Sequence, residues 1–109
     1  MRAFLISAAI VALSGCASID DVVSKAPAVS LATSKPAEAY SACVEYGWGK
    51  SGPVHRYTTE TGFTVTVAGA ASNEVVAVVK RGAPTTVDAH VGFNNLATSR
   101  RLAVLEECK

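Results

Sequence analysis

The sequence predicts a small α+β domain over residues 35–109, built as a helix, a four-stranded antiparallel meander and a C-terminal helix. Three observations predict it. Tyr40, Cys43, Val44 and Trp48 fall at i, i+3, i+4 and i+8, the stripe of an amphipathic helix. Phe63-Thr64-Val65-Thr66-Val67 alternates strictly, which puts Phe63, Val65 and Val67 on one face of a strand. The last stretch mixes Ala, Leu, Arg and Glu evenly, a composition that suits a helix.

Ahead of that domain lie two segments of different character. Met1 and Arg2 supply a short positive region, and Ala3 to Leu13 run almost without a polar break. A helix that crosses a bilayer needs about eighteen or more apolar residues, so this run is too short to remain in the membrane. It reads as a signal peptide over residues 1–15. The alternative is a buried helix with Cys16 as an ordinary core thiol. The arginine start, the small residues before the cysteine and the change to polar composition from Ser18 onward favour the signal.

Leu13-Ser14-Gly15-Cys16 resembles the lipobox of bacterial lipoproteins, a resemblance that covers the first sixteen residues. In that family the cysteine takes a diacylglycerol on its thiol, the signal peptidase cuts before it, and the new amino group is usually acylated as well. The resemblance therefore implies lipid attachment at Cys16, with fatty acyl chains such as palmitate holding the chain on a membrane. Each buried methylene contributes about 0.8 kcal/mol and one chain holds only marginally, so two or three chains on one residue make release very slow. In proteobacterial lipoproteins an aspartate after the cysteine marks inner-membrane retention. Ala17 stands there instead, which resembles the outer-membrane-sorted members and implies a domain facing the periplasm.

The cysteine count follows from this resemblance. The chain has three cysteines, and lipid on Cys16 leaves Cys43 and Cys108 as an even pair. An exported domain matures in an oxidising compartment, so these two are expected to form a disulfide rather than stay as buried free thiols. It would close a loop of about 65 residues, for which chain entropy gives about 4 kcal/mol.

From residue 16 to 34 the chain is rich in Ala, Ser and Val, with Pro27 in the middle and no sustained period. It reads as a lipid-anchored flexible tether, and its eighteen residues from Ala17 have an r.m.s. span of about 25 Å. The first helix is expected near Lys35, with Pro36 in its first turn, Glu38 beside the positive end of the helix dipole, and Gly47 and Gly49 ending it. Core packing is the simplest account of its aromatic stripe. Val54–Thr58 and Phe63–Val67 then form a hairpin, Val75–Val79 is a central strand buried in part on both faces, and Val87, Ala89 and Val91 mark a fourth strand. In the tail, Asn94 or Asn95 is a candidate helix cap, and Leu102, Leu105 and Cys108 lie on one side. Both helices are expected on the apolar face of the sheet, joined by the disulfide. Arg100-Arg101 ahead of Glu106-Glu107 oppose the dipole of a helix that starts late.

Charge and motif content narrow the function. The chain has ten Lys plus Arg and nine Asp plus Glu, and loss of Arg2 leaves nine of each. No basic stripe suggests nucleic acid, and no polybasic patch suggests an anionic membrane surface. His55, Asp88 and His90 lie on strands and offer zinc-compatible ligands, but a simple meander puts the strands of the two histidines at opposite edges. A solvated strand face accounts for them, so no metal or cofactor is expected. There is no nucleophile elbow and no phosphate-binding glycine loop, and general acid-base chemistry has no evident constellation. The expectation is a non-enzymatic lipoprotein that acts as a structural or interaction module toward an envelope protein, through a sheet edge or the threonine-rich face. Small size, tether and disulfide also suit a prophage-type superinfection-exclusion lipoprotein acting on an outer-membrane receptor. A periplasmic enzyme-inhibitor module is a third class, with no inhibitory motif behind it.

Overall fold

Alternating β-branched segments separated by Thr61-Gly62, Gly69 and Gly82-Ala83-Pro84 leave the chain little choice but to turn back on itself. The computed structural model of the protein describes residues 18–69 and 73–109. In chain order its elements are α1 (Ile19–Val23), β1 (Val29–Thr33), α2 (Ala37–Gly49), β2 (Val54–Thr58), β3 (Gly62–Ala68), β4 (Asn73–Lys80), β5 (Thr85–Val91) and α3 (Thr98–Glu107). All five strands form one antiparallel sheet in the order β1-β5-β4-β3-β2. The expected meander is present as β2 to β5, and the α+β class holds.

The count of four strands does not hold, because residues 18–34 are not a flexible tether. Ser18 caps α1 in a reciprocal capping box with Asp21, and Val22 of that helix is fully buried. Val29 to Thr33 then pair with Ala89 to Thr85 along the edge of β5. Val29 to Thr33 is as long as β2 but has no hairpin partner beside it in sequence, and it is the open edge of β5 that recruits it. Folded structure is therefore already present from Ser18, well ahead of Lys35. The signal peptide, the lipobox with Cys16, and Ala17 lie outside the described residues.

One face of the sheet carries the core. Phe63, Val65 and Val67 of β3, Val75, Ala77 and Val79 of β4, and Val87 and Ala89 of β5 pack under α2 and α3. From α2 come Tyr40, Val44 and Trp48, the expected stripe, and from α3 come Val104, Leu105 and Cys108. Gly47 does not end its helix as its residue type suggests. It lies inside α2, where a Cβ would come within 2.6 Å of Val104 Cγ1, so its lack of a side chain lets the two helices approach.

The opposite face is covered in part by α1. Val76 and His90 are register partners there, both buried, and Val22 reaches the end of β5, where a Cβ on Gly92 would lie 2.7 Å from Val22 Cγ2. Thr64 and Thr66 share that face and are also buried, Thr66 standing between His55 and Val76 and Thr64 between Tyr57 and Val78. The two threonines are thus not themselves open to a partner, whereas His55 and Tyr57 beside them on β2 are exposed.

Candidate functional site

The two cysteines meet as the sequence implied. Cys43 of α2 and Cys108 at the end of α3 form a disulfide with their Cα atoms 5.8 Å apart. Two hydrogen bonds from α2 reinforce it. Tyr40 Oη donates to the Leu105 carbonyl at 2.8 Å, and Trp48 Nε1 donates to the Arg101 carbonyl at 2.9 Å. The aromatic stripe is therefore core on its ring side and a set of clamps at its polar tips. Burial, with a smaller contribution from the Glu106 charge, pushes the Tyr40 phenol well above its ordinary value.

At the end of the sheet where β2 begins and β5 ends, the α2–β2 turn, the tip of β3, the start of β4 and the β5–α3 loop surround a cleft of about 550 Å³. Its floor is the ion pair between Arg101 and Glu74, only 4% and 9% exposed. The same guanidinium donates through Nε to Ser51 Oγ and through Nη2 to the Ser51 carbonyl, both at 3.3 Å. Arg101 thus joins α3 to β4 and to the α2–β2 turn. Its burial lowers its pKa from the usual value.

This answers the charge problem in the tail. The helix does start late, at Thr98, and places two arginines in its first turn against the dipole. Arg101 is compensated by Glu74, and Arg100 reaches Glu107 at 3.6 Å. Ala97 rather than Asn94 or Asn95 is the cap residue, while Asn95 Oδ1 accepts from the Ala97 amide at 2.8 Å and shapes the entry.

Chemically the cleft offers shape more than reactivity. Its arginine is engaged with Glu74 and Ser51, and Pro53, Ala68 and Leu96 give it an apolar rim. The rim runs into two strongly exposed apolar side chains of the β5–α3 loop, Leu96 at 102% and Phe93 at 57%.

The histidines do not come together. His55 is exposed on β2, whereas His90 is 7% exposed on β5, three strand spacings or about 14 Å away. That is too far for one ion to bridge. His90 departs from the solvated face expected for it, since its Nδ1 donates to the Lys25 carbonyl at 2.7 Å beneath the α1–β1 connection. Asp88, on the same face, accepts from Ser30 Oγ at 2.6 Å across the strand pair. Among the described residues no group of three or more His, Cys, Asp or Glu stands close enough to hold a metal.

Sequence reasoning missed Arg101, Glu74, Phe93 and Leu96. Arg101 had a legible signal, because it falls at i, i+4 and i+7 with Leu105 and Cys108 and so interrupts an apolar stripe with a charge. Such a charge must find a partner or leave the core. Compared with family models, curated proteins and solved structures, the chain matches none.

Proposed function

We propose that the chain is a lipid-anchored module of the bacterial envelope. Cys16 carries the acyl chains, and the domain that follows serves as a structural or interaction partner for an envelope protein on the periplasmic side, at the outer membrane by the sorting Ala17 implies. The segment Leu13-Ser14-Gly15-Cys16 carries this reading. The Cys43–Cys108 disulfide supports it, since such bonds persist in oxidising compartments and this one leaves no cysteine over once Cys16 is acylated. A cross-linked domain with its polar tips clamped also suits a role exercised through shape.

The test is mass spectrometry of the mature N-terminus from a host with lipoprotein maturation enzymes. The expected product begins at Cys16 with a diacylglyceryl thioether and an acylated amine. Cys16→Ser is expected to accumulate uncut, or soluble without lipid. A Cys16→Ser protein that still sediments with membranes at the normal processed size would overturn the reading. Cross-linking in intact envelopes then identifies the partner.

A further inference from the structure

We infer that the domain rests directly on the bilayer, with the loop after β5 entering the head-group region through Phe93 and Leu96. The inference rests on the lipid-anchor reading and adds the surface by which the folded part meets the membrane. Because Ser18 is the cap of α1, only Ala17 separates it from Cys16, and two residues reach at most about 7 Å. A domain tied so closely cannot stand off from the head groups, so the end bearing Ser18 must face them.

The path of the chain identifies that end. Val22 lies against Gly92, Lys25 offers its carbonyl to His90, and the Ala28 amide donates to the Ala89 carbonyl. From Val22 to Ala28 the chain therefore descends β5 away from its C-terminal end, and Ser18, one helical turn or about 6 Å before Val22, stays at the end of the sheet where Gly92 lies. That loop carries Phe93 and Leu96, which leave more apolar surface in solvent than any core-facing residue near them. Exposed apolar side chains next to an acylated residue have lipid as their nearest apolar phase. Charge does not compete with this contact, because Asp20 and Asp21 of α1 offset Lys25 and Lys50 at the same end.

The experiment uses the full lipidated protein in vesicles of phosphatidylethanolamine and phosphatidylglycerol, with and without brominated acyl chains. Leu96→Trp and Phe93→Trp place a reporter on the loop, and Glu60→Trp places one in the β2–β3 turn at the opposite end, against a background of fully buried Trp48. The loop tryptophans are expected to emit at shorter wavelength and to lose most of that emission to brominated lipid, while the Glu60→Trp signal stays unchanged. Acylated protein that floats with vesicles yet shows loop emission typical of water would overturn the inference alone. Short-wavelength emission that brominated lipid leaves unquenched would place a protein on the loop and overturn it too. Protein that lacks the acyl mass and does not float would overturn the anchor reading, and the inference with it.

Discussion

The phenol of Tyr40 and the carbonyl of Leu105 meet at 2.8 Å in the core, an α2 side chain closing a backbone acceptor in the last turn of α3. The last carbonyls of a helix lack intrahelical donors, so this bond fills a vacancy that water cannot reach. Tyr40→Phe keeps the ring and removes the donor, and is expected to cost about 1 kcal/mol in urea denaturation at neutral pH.

The same group gives a pH signature. The folded-state pKa of Tyr40 is raised above its ordinary 10.0, by burial first and by Glu106 second. Its contribution to stability is fully present below the unfolded value and is lost as pH rises toward the folded one, because the unfolded chain releases the proton first. Wild type should lose stability above about pH 10 more steeply than Tyr40→Phe. Parallel curves for the two proteins would contradict the assignment.

Arg101→Met leaves Glu74 buried without its partner, and Glu74→Gln leaves the guanidinium likewise. Removal of one member of a buried pair typically costs about 3–5 kcal/mol, whereas replacing both by apolar groups of similar volume is often neutral or better. The double variant Arg101→Met with Glu74→Met should therefore unfold later than Arg101→Met alone in a thermal melt.

Cys43→Ser and Cys108→Ser should destabilise alike, by about 2–5 kcal/mol. The double variant should be no worse than either single one. Thiol titration of the denatured, unreduced mature protein should find both cysteines blocked, and two free thiols per chain would contradict the bond.

The histidines should separate. His55→Ala alters an exposed side chain and should stay within about 0.5 kcal/mol of wild type. His90→Ala removes a buried donor to the Lys25 carbonyl, and should cost about 1–3 kcal/mol. Amide exchange should show the α1–β1 segment loosened in the second variant only.

The contrast between these residues shows what the sequence makes legible. Periods of 2 and 3.6 exposed β3 to β5, α2 and the pairing face of Cys43, and β2 was legible because a turn joins it to the strictly alternating β3. Val29 to Thr33 is as long as β2 but has no strand beside it in sequence, and its strand character comes from the β5 edge, a distant neighbour. His90 and Asp88 alternate with apolar residues and so look solvated, yet α1 covers the first and Ser30 bonds the second. Local pattern says which side of a strand a residue takes but not what tertiary element lies over it. The cleft was invisible for the same reason, being assembled from two connections and two strand ends distant in sequence.

The pairing of β1 with β5 also sets an order of assembly. Strands β2 to β5 connect neighbour to neighbour and can zip locally, but β1, the first strand to be synthesised, has no partner until β5 exists. Closing so long a loop is slow relative to hairpin formation. During that interval β5 presents a bare edge, and an unfinished copy nearby presents an unpaired first strand of matching register. Under the proposed lipid anchor, confinement to two dimensions would bring such copies together, so the interval before β1 docks is when two chains would exchange first strands and mature as an intertwined pair.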